Sequence, residues 1–332
     1  MTRHTLQTAY SERRPGPKPG HRTRRFAAVA VTLGVSALLN HCLARRAEAR
    51  NPPSGRFLKV DGVRLHYAEF GDGPPLVLLH GNGSMIEDFT SSGLVELAAK
   101  SHRVIVFDRP GYGHSTRPRG RVWSADAQAD LLHSALGQIG VTKAIVLGHS
   151  WGASVAVALA SRHPDIVRGL VLASGYYYPT PRLDMMLMAG PAVPIVGDIL
   201  RYAIAPLTSR LMWPLIMCKI FGPAPVPAKF GGFPMEMAVR PSQLRASAAE
   251  SALLIPMVAA AAASYPALTM PVVIVAGSED RLIDPAVQSG HLHDAVPHST
   301  YHRIPGSGHM VHQTDVTAVM RAIAEASERA AV

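Results

Sequence analysis

Residues 144–152 read Ala144-Ile145-Val146-Leu147-Gly148-His149-Ser150-Trp151-Gly152. Four apolar residues that suit a buried strand run into a G-x-S-x-G string, and the stretch that follows, 152–162, is rich in small residues with helical character. A strand that turns at once into a helix tolerates little bulk at the bend, and Gly148 and Gly152, two before and two after Ser150, supply that room. Such a turn holds the Ser150 hydroxyl out of the sheet at a helix N-terminus, whose dipole favours developing negative charge. The string alone recurs by chance. Its strand-to-helix setting is what predicts a nucleophile elbow.

The surroundings repeat the same alternation. Short apolar runs at Pro75–Leu79, Arg103–Phe107, 170–173 and 272–276 end in turns, and helical stretches lie at 125–139, 285–295 and 311–328. Asp61-Gly62, between Arg56–Val60 and residues 64–70, is a hairpin signal. Continuous apolar strands alternating with helices predict an α/β protein with a mostly parallel sheet covered on both faces. No internal repeat is evident. Residues 179–268 break the pattern, holding 13 of the 27 prolines and 8 of the 13 methionines, with helical fragments at 243–254 and 258–263. This predicts a mostly helical insertion between two strands, in the position of a lid. Methionine-rich helices offer an adaptable apolar surface, although ordinary packing accounts for any single methionine.

A serine hydroxyl is a weak nucleophile and needs a base oriented by a third group. Asp280 follows the strand 272–276 and His309 follows Thr300–Ile304, giving the chain order serine, acid, histidine. Glu279 and Asp284 are rival acids, and position favours Asp280. Both partners are placed at C-terminal strand ends, where open parallel sheets keep their sites. His80-Gly81-Asn82-Gly83 follows Pro75–Leu79. Its Asn82 N–H, with that of Trp151, is positioned to hold an oxyanion; the competing view is a tight turn whose glycines only satisfy positive φ. His80 reads as a brace for this turn, and His149 as a packing or supporting residue. Gly81, Gly83, Gly148 and Gly152 complete the supporting set. The crowd of His291, His293, His298, His302, His309 and His312 lacks metal spacing and reads mainly as surface or loop histidines, so no metal site is expected.

These residues, together with Asp108-Arg109-Pro110-Gly111-Tyr112-Gly113-His114-Ser115, resemble the α/β-hydrolase superfamily over about residues 56–328. The resemblance implies an eight-stranded, mostly parallel sheet flanked by helices, with a helical cap between strands six and seven. That divides the chain into a catalytic body at 56–178 and 269–332 and a cap at 179–268. It makes residues 108–115 structural and implies no cofactor. It also implies Ser150 as nucleophile, His309 as base and Asp280 as orienter, in a hydrolase acting on a carboxylic ester of a small or medium-sized apolar substrate. Epoxide hydrolases and haloalkane dehalogenases of this superfamily carry an aspartate at the elbow, where Ser150 stands here. Cofactor-free perhydrolase or amide and peptide hydrolysis would use the same triad. Proline iminopeptidase-like enzymes need cap acids for a free amine, and only Asp184, Asp198, Glu236 and Glu250 occur between 179 and 268. A non-catalytic ligand-binding protein on the same fold is the alternative of another class.

The composition bounds the rest. With 332 residues, 48% hydrophobic and 17% charged, the chain can bury a large core, and Cys42 and Cys218 alone exclude a disulfide framework. Of the net charge of +10, residues 1–50 carry +8, which leaves a nearly neutral body and no basic face for nucleic acid. The basic leader, 1–25, has three prolines and no capacity for a core. An apolar run follows at 26–39, extendable to 44, which reads as an N-terminal membrane segment, the competing view being a buried helix of the body. Seven positive residues before it and three soon after put the N-terminus in the cytoplasm and the body outside. Ala47-Glu48-Ala49 offers a signal-peptidase site and hence a secreted or periplasmic alternative, but Arg45 and Arg46 argue for an uncleaved anchor. Arg24-Arg25-Phe26 is a poor twin-arginine match. The partners expected are a small-molecule ester and a membrane, with the oligomeric state open.

Overall fold

The computed structural model describes residues 21–181, 189–193 and 196–331. The first 20 residues of the basic leader lie outside the described residues, as do 182–188 and 194–195 of the expected cap, Asp184, Met185, Met186 and Met188 among them.

Eight strands form one sheet: β1 (Arg56–Val60), β2 (Val63–Phe70), β3 (Pro75–Leu79), β4 (Arg103–Phe107), β5 (Ala144–His149), β6 (Val167–Ala173), β7 (Val272–Gly277) and β8 (Thr300–Ile304), in the order β1-β2-β4-β3-β5-β6-β7-β8. The β1–β2 and β2–β4 pairings are antiparallel and the remaining pairings are parallel. Side chains alternate across the strands. Val77 and Leu79 therefore join the core on one face, under the helices Ala125–Gln138 and Trp151–Arg162. Leu76 and Leu78 join the core on the other, under Ile86–Ser92 and Val316–Arg329. Burial on both faces is why these strands read as unbroken apolar runs.

The helix expected over 311–328 is broken. Asp315 interrupts it and caps the helix Val316–Arg329, its side chain accepting from the Ala318 N–H at 2.9 Å. The two fragments expected at 243–254 and 258–263 are instead one helix, Pro241–Ala261, which continues through Pro256. Its buried side, Gln243, Ala246, Glu250, Leu254 and Val258, keeps helical spacing across the proline, so packing carries the helix past it. This helix and Ala205–Phe221 lie in the insertion between β6 and β7.

The leader forms a helix, His21–Arg50, longer than the apolar run inside it. From residue 23 on, 33, 36, 37, 40, 43, 44 and 47 are the half-buried or buried positions before Glu48, and they make one stripe. Along it Asn40 Nδ2 donates to the Tyr202 carbonyl at 2.8 Å and the Ser36 hydroxyl to that of Ala203. The Arg240 guanidinium meets Glu48 at 2.9 Å. Ala47 is 2% exposed, in one apolar cluster with Met85, Met217 and Phe221. The Ala47-Glu48-Ala49 stretch thus lies at the end of this helix, with Ala47 packed against the body and Ala49 exposed. Three helical stretches, Thr23–Arg50, Val196–Phe221 and Pro241–Ala267, are long and apolar enough to cross a membrane by length and composition.

Candidate active site

The parallel strands bring their C-terminal ends to one edge of the sheet, and the functional candidates follow those ends. Pairing of Leu79 with Gly148 sets the turn after β3 beside the turn after β5. Ser150 itself sits at φ 54° and ψ −119°, a left-handed conformation that is strained for a residue with a side chain. The flanking glycines have a different reason. A Cβ on Gly148 would lie 2.3 Å from the Gly152 carbonyl oxygen, and one on Gly152 would lie 2.1 Å from that of Leu79. They allow close backbone packing, not an unusual φ.

Asp280 and His309 meet: His309 Nδ1 donates to Asp280 Oδ2 at 2.7 Å, with the two side chains 4% and 1% exposed. The other carboxylate oxygen of Asp280 accepts from the N–H groups of Leu282 and Ile283 at 2.8 and 3.0 Å, so the acid is fixed in the turn after β7. Glu279 is exposed, and Asp284 caps the next turn through Ala286 and Val287. The His309 N–H donates to the Ile220 carbonyl at 3.0 Å, which ties the histidine loop to the end of the helix Ala205–Phe221. Ser150 and His309 line the same cavity, of about 360 Å³, walled by Trp213, Met217, Ile220, Phe230, Phe233 and Leu254. No hydrogen bond joins Ser150 Oγ to the His309 ring. Serine–histidine contacts commonly tighten only around a substrate.

The turn of Gly81, Asn82 and Gly83 borders the same cavity. Asn82 uses its side chain elsewhere, donating to the Ser247 carbonyl and the Ser251 hydroxyl at 3.1 and 3.3 Å. Both Asn82 and Trp151 line the cavity. Gly81 allows the close approach: a Cβ there would stand 3.1 Å from that of Ser150. Gly83 does need its glycine, at φ 75°.

His80 is wholly buried; Nδ1 donates to the Gly81 carbonyl at 2.8 Å while Nε2 accepts the Arg109 N–H at 3.0 Å. Both bonds require the neutral ring, and burial together with the Arg109 charge lowers its pKa to about 4. Arg109 in turn holds the carbonyls of His80 and Gly81 at 2.8 and 3.0 Å. Its charge is met by Glu250 from the inserted helix. Burial opposes the Glu250 charge, but Arg109, Arg117 and the Tyr112 hydroxyl hold the carboxyl below its usual range. Asp108 accepts from His66 at 2.6 Å, Ile86 at 3.0 Å and His114 at 2.9 Å. The side chains of Asp108 and Arg109 are therefore spent on holding loops.

One buried group escaped the sequence reading. Behind Ser150, the ligand atoms of Asp88, His149 and His312 lie within 4.8 Å of one another. His312 is fully buried and donates to Asp88 at 3.0 Å, against its expectation as a surface or loop residue. Burial works against the Asp88 charge, but His312 and Gln313 more than offset it and hold the carboxyl well below its usual range. His149 Nε2 donates to the His309 carbonyl at 3.1 Å, and burial with the neighbouring His312 and His309 pushes its pKa well down. Asp88 and His312 stand 224 residues apart, so no local motif could have joined them. Both cysteines are free and exposed.

A family model described as alpha/beta hydrolase fold matches residues 74–316. Among curated proteins, 2-hydroxymuconate semialdehyde hydrolase of Pseudomonas sp. (strain CF600) is 36% identical over 151 residues, 44% of this chain and 53% of that protein. Among solved structures, an esterase from Thermogutta terrifontis superposes with a TM-score of 0.67 at 22% identity, covering 83% of this chain and all but 1% of the other. A bacterial membrane phospholipase A superposes at 0.64 and 20% identity over 92% of this chain and 96% of the other. At these identities the solved structures speak for the fold. The chain spans about half the length of the curated relatives it matches first.

Proposed function

Since the chain belongs to the α/β-hydrolase family, we propose that it is a serine hydrolase cleaving carboxylic esters of small to medium-sized apolar substrates. The observation that carries this reading is the His309–Asp280 pair at 2.7 Å, whose His309 lines the apolar cavity that also holds the strained Ser150. Ser150 Oγ attacks the acyl carbon while His309 Nε2 takes the hydroxyl proton. Asp280 keeps Nδ1–H in place and stabilises the imidazolium. The N–H groups of Asn82 and Trp151 hold the oxyanion. Collapse expels the alcohol, which carries off the proton from His309 and leaves an acyl-serine. Water then attacks, giving its proton to His309, and the acid leaves as Ser150 recovers its own.

Glu250 argues against a peptidase that captures a free amine: it is buried and committed to Arg109 and Tyr112. The helical insertion, at about 179–268, acts as the cap, its side chains closing the cavity over Ser150. The exposed apolar residues 26–39 anchor the chain in a membrane, with the basic leader cytoplasmic and the body on the other side. The burial of Ala47 favours retention of that leader over cleavage.

The test is a chain-length series of p-nitrophenyl esters on the full chain with Ser150→Ala alongside. The alanine variant should lose roughly 10³-fold or more in turnover, and retained activity would remove Ser150 from its role. If no ester is turned over yet a fluorophosphonate labels Ser150, the nucleophile stands and the substrate class fails. If neither occurs, the non-catalytic binding reading takes over.

A further inference from the structure

Fifteen of the nineteen exposed large apolar side chains among the described residues fall in two stretches, 26–39 on the leader helix and 193–215 in the insertion. Those stretches belong to elements that touch, through the Asn40–Tyr202 and Ser36–Ala203 hydrogen bonds. Most of the exposed apolar side chains among the described residues are therefore carried by two elements in contact.

The helix Ala205–Phe221 has two apolar faces. At 3.6 residues per turn, Leu207, Leu211 and Leu215 share one side, and all three are exposed, Leu211 at 80%. Ser209, Trp213, Ile216, Met217 and Ile220 lie about half a turn round and line the cavity of Ser150 and His309. The helix contains no acid, and its only charges are Arg210 and Lys219. A single helix thickness thus separates an exposed leucine face from the proposed acyl pocket.

The leader helix indicates what covers that face. Phe26, Val29, Val31, Val35, Leu38 and Leu39 are each at least half exposed, and before the docked stripe begins at residue 33 they point to opposite sides of the helix. A second protein copy covers one side of a helix; an apolar helix exposed all round calls for lipid. Residues 26–39 span about 21 Å at 1.5 Å per residue, and the docked stripe that follows places residues 202 and 203 alongside position 36 to 40. The helix Ala205–Phe221 begins two residues beyond that contact, so its leucine face starts close to the leader.

We propose that the Leu207, Leu211 and Leu215 face of the cap rests in the same bilayer that the leader helix enters, and that the esters hydrolysed are amphiphilic acyl esters taken from that bilayer. The substrate half rests on the serine-hydrolase reading above; the seating of the cap does not.

Two arms test it, both on the full chain in vesicles of phosphatidylcholine and phosphatidylglycerol. The first places a bimane fluorophore at Leu38→Cys, Leu211→Cys or Val122→Cys in a Cys42→Ser/Cys218→Ser background, with brominated acyl chains as quencher. Quenching at positions 38 and 211 but not at 122 is expected. Quenching at 38 without 211 overturns the seating while the anchor stands, and cross-linking of copies through position 211 would show that a second chain covers the face instead. Absence of quenching at 38 as well overturns both. The second arm compares the unaltered chain with Leu207→Ser/Leu211→Ser/Leu215→Ser on a monoacylglycerol in the vesicles and on p-nitrophenyl butyrate in solution. Losing three leucines that the bilayer would cover predicts a fall of about tenfold or more on the vesicle substrate and a change within about twofold on the soluble one. An equal fall on both, or none on either, overturns the substrate half. If the unaltered chain turns over neither and Ser150 takes no fluorophosphonate, the serine-hydrolase reading has failed, and the quenching arm still decides the seating.

Discussion

The Arg109 guanidinium grips both carboxylate oxygens of Glu250, at 2.5 and 3.1 Å, with neither side chain exposed to solvent. The two residues are 141 positions apart and belong to the loop after β4 and the inserted helix Pro241–Ala261, so one ion pair joins the two parts of the molecule. Removing one partner leaves the other charge buried and uncompensated. Glu250→Ala should cost about 3–5 kcal/mol in urea unfolding, and Arg109→Met in the same chain should restore part of it. Turnover should fall in both variants, because Arg109 also holds the His80 and Gly81 carbonyls under the Asn82 turn. A loss below about 1 kcal/mol for Glu250→Ala would contradict the burial that defines the pair.

The elbow makes a separate prediction about stability. Ser150 stands at φ 54°, where a side chain costs about 1–3 kcal/mol and glycine is free of that cost. Ser150→Ala and Ser150→Gly should both abolish turnover. The glycine variant should nonetheless unfold at higher temperature than the alanine variant, by about 1 kcal/mol once the extra chain entropy of glycine is set against the strain. Equal melting temperatures would mean the turn stores no strain.

The elbow was legible because everything it needs is local: a strand, a glycine on each side and a helix within nine residues. Asp280 and His309 were legible because each follows a strand end, and parallel packing brings strand ends together. Asp88 with His312, and Arg109 with Glu250, were not, since tertiary folding alone pairs residues so far apart. The leader shows a subtler failure. Its stripe at 33, 36, 37, 40, 43, 44 and 47 is written at helical spacing, but hydropathy averages over all sides of a helix. An anchor and a docked helix look alike to it. The elbow glycines were read as room at a cramped bend, and a Cβ on either Gly148 or Gly152 would meet backbone there.

Acid–base behaviour supplies a prediction at Glu87. Burial, with the nearby Asp108 charge, raises its pKa from the usual 4.5 to about 7, and Oε2 is buried without a partner. A carboxyl that is harder to ionise in the folded chain destabilises it as pH rises. The cost is absent below about pH 4.5, where both states hold the proton, grows between 4.5 and 7, and is complete above 7. Glu87→Gln should therefore gain up to about 3 kcal/mol at pH 8 and nothing attributable to this charge at pH 4.5. Melting curves of both chains across that range check it. A gain that does not change with pH would assign the effect to packing.

The buried end of the leader helix leads to the last prediction. Arg240 is 4% exposed and its NH1 meets Glu48; Asn40 donates to Tyr202, and the Asn51 side chain donates to Glu236 at 3.2 Å. Ala47 closes the cluster of Met85, Met217 and Phe221. A chain starting at residue 51 would keep only the Asn51–Glu236 bond among these contacts and leave the Arg240 charge short of its carboxylate. At roughly 1 kcal/mol for each lost bond, with the apolar cover in addition, the melting temperature should drop by about 5–10 °C. The damage should be local, because the Met217–Phe221 end of the helix Ala205–Phe221 carries the Ile220 carbonyl that holds the His309 N–H. Limited proteolysis should cut first between 196 and 240 and spare the sheet, and turnover should fall with the insertion still attached. If the shortened chain melts and turns over like the full one, the leader is a tether alone and its docked stripe contributes nothing to the fold.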